Sequence, residues 1–173
     1  MDIALEILKY TLPALIVFLT VFVLIRGFIR NEEQRRNREI LESTQKTILP
    51  IRLQAYERLA LLLERISPES LIMRVNQPGM TAKQLQTELL SSIRAEFEHN
   101  LSQQVYISNE AWELIRTARG NVINMVNTAA DQLKDDATAI TLSQKIFEQV
   151  VQLKSPPVQQ ALDFIKEEIK QFY

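Results

Sequence analysis

Cysteine is absent from the chain, and that lack removes disulfides, thiolate-bound zinc, iron–sulfur clusters and cysteine nucleophiles. Glycine is scarce, with Gly27, Gly79 and Gly120 the whole supply. Phosphate-cradling loops need several glycines close together, so Walker-type and dinucleotide-binding motifs are excluded. An excess of one charge is also missing: 20 Lys and Arg stand against 21 Asp and Glu, a net charge of -1. A protein that binds nucleic acid by neutralising phosphates carries a basic surplus, so no nucleic acid is expected as a partner. Strand-like alternation is lacking too; the best stretch, Gln104-Val105-Tyr106-Ile107, is too short to build a sheet.

What is present begins with one uncharged apolar run, YTLPALIVFLTVFVLI from Tyr10 to Ile25, extended backwards through Ile7 and Leu8 if Lys9 snorkels. About 20 residues of helix cross a hydrocarbon core of about 30 Å, so a single transmembrane pass is the reading. Tyr10 stands where an interfacial aromatic belongs, and Pro13 falls in the first turns of the run. A cleaved signal peptide needs a basic start and small residues at its end, whereas Asp2 and Glu6 precede this run and Arg26-Gly27-Phe28-Ile29-Arg30 follows it. A core helix this apolar needs protein on every face, more than the remaining chain can supply.

Orientation follows from the flanking charge. Arg26, Arg30, Arg35, Arg36 and Arg38 lie after the run and Lys9 before it, which places the C-terminal part in the cytoplasm and the N-terminus outside. The membrane-interface residues are thus Lys9, Tyr10, Arg26 and Arg30. The arginines interleave with Glu32, Glu33, Glu39 and Glu42 at helical spacings, so most of them are expected in pairs along a solvated helix, with lipid contact left to Arg26 and Arg30.

The remainder reads as all-α. Residues 1–30 form the anchor, 31–48 a charged helical stalk, and 49–173 an antiparallel bundle of about five helices joined by short links. Ile51 to Ile66 repeats apolar residues on a wide face. Ser67-Pro68 opens a short helix ending near Arg74, and Asn76-Gln77-Pro78-Gly79 is a turn. Thr81 with Gln84 is a capping box that starts a helix to about Gln103, with Leu85, Leu89, Ile93, Phe97 and Leu101 as its stripe. Ser108 caps the next, where Gly120 permits close approach of a neighbour. Ala137 to Leu153 carries Ile140, Ile146, Phe147, Val150 and Val151, and Ser155-Pro156 starts the last helix.

Chemistry-bearing constellations are incomplete. Glu96 and His99 have the spacing used in di-iron bundles, but that site needs two such pairs and His99 is the sole histidine. No serine sits in a nucleophile elbow, and Asp135-Asp136 and Glu167-Glu168 read as solvated charge. Asn100-Leu101-Ser102 matches a glycosylation acceptor by accident. No catalytic, cofactor-binding or metal residues are assigned, no cofactor is expected, and the protein is read as a non-enzyme. Tyr56, Arg58, Trp112 and Arg116 are the candidate interaction residues, since aromatics and arginine anchor interfaces; core packing is the competing role for Trp112.

LPIRLQAYERLALLLERI from Leu49 to Ile66, set after a single membrane helix, and AWELIRTARGNVINMVN from Ala111 to Asn127 resemble an uncharacterised family of small single-pass membrane proteins seen mainly in Bacteroidota. The resemblance implies a bacterial inner-membrane setting and carries no activity.

The functional expectation is a membrane-tethered cytoplasmic interaction or scaffold module, an accessory component of an inner-membrane assembly. Its partners are the lipid bilayer and a protein at the cytoplasmic face, with self-association left open. The alternative is a membrane-anchored ligand sensor or enzyme with a pocket between helices that gathers Arg94, Glu96 or Arg116.

Overall fold

Arg, Glu, Gln and Leu dominate residues 31–66, and all are good helix formers. The chain accordingly forms one helix, α1, from Asp2 to Ile66. It includes Pro50, which has no N–H to give to the carbonyl of Lys46; both residues are exposed. The computed structural model describes residues 2–153 and 155–172, and their side chains except those of 2–14, 37, 38 and 40–44. The chain divides into two compact units, Met1–Ile48 and Leu49–Tyr173.

In the first unit the described apolar side chains are uncovered. Leu15, Ile16, Val17, Phe18, Leu19, Val21, Phe22, Val23, Leu24 and Ile25 are each between 46% and 66% exposed, and Phe28 and Ile29 continue the run at 71% and 53%. The hydroxyl of Thr20 donates to the carbonyl of Ile16 at 2.8 Å, so this lone polar side chain is satisfied within the helix. Arg35 pairs with Glu39 at 3.1 Å and Arg36 with Glu32 at 3.8 Å, two of the helical charge pairs expected. Among the described residues no helix is long and apolar enough to cross a membrane. The start of the predicted span, with Lys9 and Tyr10, lies outside the described side chains.

The second unit is a helical bundle around one core. Its first helix is the last part of α1, where Ala55, Tyr56, Leu59, Leu62, Leu63 and Ile66 are at most 1% exposed. There follow α2 (Pro68–Val75), α3 (Ala82–His99), a 3-10 turn (Leu101–Val105), α4 (Asn109–Asp131), α5 (Ala139–Gln152) and α6 (Pro157–Lys170). No strand forms among the described residues beyond one isolated bridge.

The helix starts follow their capping chemistry. Gln84 N–H donates to the Thr81 hydroxyl at 3.2 Å while Thr81 N–H donates to Gln84 Oε1 at 3.0 Å, the reciprocal capping box expected. Ser108 caps α4 at 3.1 Å and Thr138 caps α5 at 3.3 Å. Ser67 behaves differently: its hydroxyl donates back to the Glu64 carbonyl at 2.8 Å, closing α1, and Pro68 alone marks the start of α2. Gly79 takes a φ of 84° in the turn between α2 and α3, a conformation that suits glycine.

Several expectations are corrected. The third helix stops at His99, short of Gln103, because the Asn100 side chain donates to the Glu96 carbonyl at 2.9 Å and Asn100 N–H to the Phe97 carbonyl at 3.1 Å, tightening the chain into the 3-10 turn. Leu101 consequently leaves the stripe and is 44% exposed. On α5 the inward face is Ala139, Leu142, Ser143 and Ile146, while Ile140 and Val151 are 64% and 84% exposed. Gly120 has open space where a Cβ would lie, so no neighbour approaches closely there.

Packing is not simply between successive helices. Sheet-like hydrogen bonds join the loops before α3 and α5: Ala82 N–H donates to Ala137 O at 2.9 Å and Ala139 N–H to Met80 O at 3.1 Å. These two helices therefore start side by side and pack together, with α2 against both. α4 lies along α3, α5 and α6. The link before α6 is held extended at Pro156 (φ -60°, ψ 134°), which carries the chain away from a direct reversal onto α5.

Candidate functional site

α3 and α4 run antiparallel: the Gln86 amide donates to the Asn127 side-chain oxygen at 3.0 Å at one end, and Phe97 stacks on Trp112 at the other. The Phe97 and Trp112 ring centroids are 5.2 Å apart with planes 27° from parallel. The Arg119 guanidinium carbon lies 4.1 Å from the Phe97 centroid, so Phe97 is held between an indole and a cation. Trp112 and Phe97 are buried and Arg119 is half-buried. The Nε of Arg119 is buried and has no hydrogen-bond acceptor. Arg116, between Trp112 and Arg119 on the same side of α4, is exposed and donates to Glu113 at 2.7 Å.

A second polar cluster joins α1, α4 and α6. Ser108 donates to Glu168 at 3.0 Å, Arg52 Nε donates to the Tyr106 carbonyl at 3.0 Å, and the Arg52 guanidinium sits 4.2 Å from the Phe172 ring centroid. Tyr56 faces Phe172 with centroids 5.9 Å apart. Its hydroxyl is buried and makes no hydrogen bond of good geometry. Burial, reinforced by the neighbouring Glu168 carboxylate, pushes the Tyr56 phenol up to about 12, with Arg52 opposing.

Glu96 forms a third. It receives Arg65 at 2.8 Å and Arg74 at 3.6 Å, tying α1, α2 and α3 together. Glu96 is thus engaged away from Arg94, which lines a shallow open groove of about 550 Å³ with Glu98, Thr87 and Ser91. None of the cavities described here gathers Arg94, Glu96 and Arg116. A smaller cavity of about 260 Å³ has an apolar lining that includes Val122, Met125, Val150, Leu153 and Leu162, with Glu64 and Glu69 at its edge.

Among the predicted interface residues, Arg26 and Arg30 are exposed, and Arg26 lies 6.0 Å from the Phe22 ring centroid. Arg58 is exposed; Tyr56 is fully buried and Trp112 is 9% exposed. These two aromatics are core residues and present no contact surface of their own, because Tyr56 packs against Phe172 and Trp112 against Phe97. Arg119 was missed by sequence reasoning, although its spacing of two turns from Trp112 puts it on the same side of the helix. His99 is exposed, and no metal-holding group of acidic and histidine side chains exists among the described residues. Asn100 is 6% exposed with its amide nitrogen engaged, which makes it unfit to carry a glycan.

Residues 2–172 match the family of unknown function DUF7935. The chain belongs to that family. No curated protein and no solved structure matches this DUF7935 member.

Proposed function

We propose that the protein is a membrane-tethered helical docking module of the bacterial inner membrane, with its N-terminus outside and residues 49–173 binding another protein at the cytoplasmic face. The observation that carries the tether is the uncovered run from Leu15 to Ile25, whose large apolar side chains are all at least 46% exposed. Each such side chain gains about 1.5–3 kcal/mol on full burial. A single partner helix covers one stripe, whereas a bilayer covers every face, and the all-round exposure of this run supports the second. The internally bonded Thr20 hydroxyl suits the same setting, and Arg26 and Arg30 supply the cytoplasmic flank. Tethering raises the local concentration of the bundle at the membrane, so a modest contact suffices for binding.

Because the natural chain has no cysteine, single cysteines report topology without background. Asp2→Cys is expected to react with an impermeant maleimide in intact cells, Glu57→Cys only after permeabilisation, and the protein is expected to stay in the pellet after alkaline carbonate washing. Recovery in the carbonate supernatant would sink the tether, and labelling of Glu57→Cys in intact cells would reverse the orientation. Crosslinking from Arg58 tests the partner; no crosslinked product at any membrane concentration removes the docking role.

A ligand-sensing role is favoured by one observation, the apolar 260 Å³ cavity bordered by Glu64 and Glu69. Filling it from its half-exposed wall with Leu153→Trp separates the readings: docking tolerates the change, and a sensor loses its ligand.

A further inference from the structure

We propose that Arg119, held against the Phe97–Trp112 stack, is the anchor of the docking surface and receives a carboxylate from an acidic segment of the partner protein. The inference rests on the docking reading and adds the chemistry of the partner. Arg119 is a cation without a counter-charge among the described residues. Arg119 is half-buried, its Nε is buried with no acceptor, and it makes no ion pair among the described residues. The Nε stays buried beneath the fork, and a carboxylate arriving from outside meets the outer Nη groups, where it supplies the counter-charge that the chain does not.

The guanidinium is also positioned in advance. Phe97 fixes one face of it at 4.1 Å, and Phe97 is itself backed by Trp112 at 5.2 Å. Holding the fork flat before binding lowers the ordering cost of a two-point contact with a planar carboxylate. The neighbouring acidic groups are already engaged or lie elsewhere. Arg116 lies one turn before Arg119 on α4 and already takes the Glu113 carboxylate at 2.7 Å. Arg94 on α3 lies apart from Arg119, in the groove that it shares with Glu98. Arg119 is thus a cation without an internal carboxylate next to a pair that is already neutral, which favours an acidic segment over an apolar or basic one.

Trp112 is the sole tryptophan, so its emission reports on this stack directly. The full chain in detergent micelles is titrated with a hexaglutamate peptide, with hexaglutamine and monomeric glutamate as comparisons. A saturable change in emission is expected with hexaglutamate and none with hexaglutamine. Arg119→Gln is expected to weaken the apparent affinity about tenfold or more, the loss of a charge-assisted contact. Arg119→Lys, which keeps the charge and loses the fork, is expected to fall between, and Arg116→Gln to change it less than Arg119→Gln. An unaltered titration in Arg119→Gln, a response to hexaglutamine, or equal potency of monomeric glutamate per carboxylate overturns the proposal. A chain that fails this test yet resists carbonate extraction loses the acidic-partner assignment and keeps the tether; a chain released by carbonate loses the tether whatever the titration shows.

Discussion

Thr81 and Thr138 each cap the helix that follows them and are paired with one another across an antiparallel bridge. Two local devices thereby become one tertiary device, because the backbone that enters α3 is hydrogen-bonded to the backbone that enters α5. Thr81→Ala and Thr138→Ala are each expected to lower stability by about 1 kcal/mol through loss of the cap. The double variant is expected to depart from the sum by about 0.5 kcal/mol or more, since the two loops share hydrogen bonds. Strict additivity in thermal unfolding would show that the loops act independently.

Alkaline pH exposes the burial of Tyr56. Its phenol is pushed up to about 12, with burial the first cause and Glu168 the second. An unfolded tyrosine ionises near 10, so between about pH 10 and 12 the unfolded chain has released a proton that the folded protein still holds. The contribution is whole below pH 10 and is lost as pH rises through that window. Wild type is therefore expected to lose stability more steeply than Tyr56→Phe over this range, with Tyr56→Phe equal or slightly more stable at neutral pH because it removes a poorly bonded hydroxyl. Parallel pH profiles for the two proteins would contradict this.

Glu96 makes its contacts with only 17% of its side chain exposed, against 45% for Arg65 and 35% for Arg74. Solvent screens the arginines, so the network is modest: Glu96→Ala is expected to cost roughly 1–2 kcal/mol, more than an exposed pair such as Arg35–Glu39, where about 0–1 kcal/mol is usual. Comparison of Glu96→Ala with Glu39→Ala by calorimetry tests it, and equal effects would remove the case for a partly buried network.

The inward face of α5 can be checked by opposite substitutions. Ile146→Ala removes volume from a fully buried site and is expected to cost about 2–5 kcal/mol. Val151→Ser, at a residue 84% exposed, is expected to change stability by less than about 0.5 kcal/mol. A large loss from Val151→Ser would mean that α5 packs on the other side.

Much of the fold was legible because it is encoded locally. The Thr81–Gln84 box and the Leu85, Leu89, Ile93 and Phe97 stripe need only one helix to be read, and all four stripe residues are buried. Where the answer depended on a neighbour, the pattern misled. Ile140 and Val151 look like core residues by hydrophobicity, yet the bridge at Thr138 turns Leu142 and Ser143 inward. The end of α3 was misread for a local reason, the Asn100 side chain bonding back to Glu96. The candidate site was half visible: Trp112 and Arg116 stand out by residue type, but the importance of Arg119 depends on Phe97, which reaches it from another helix. Register between helices is a tertiary quantity, and no spacing within one segment reports it.

The bridge between the loops at 80–82 and 137–139 also sets an order of events in folding. Its partners are far apart in the chain, and we expect it to close after α3 and α4 have brought the loops together. A contact made after the main barrier leaves the folding rate unchanged and slows unfolding. The bridge is then a late clasp: weakening it is expected to shorten the lifetime of the folded bundle while refolding keeps its speed.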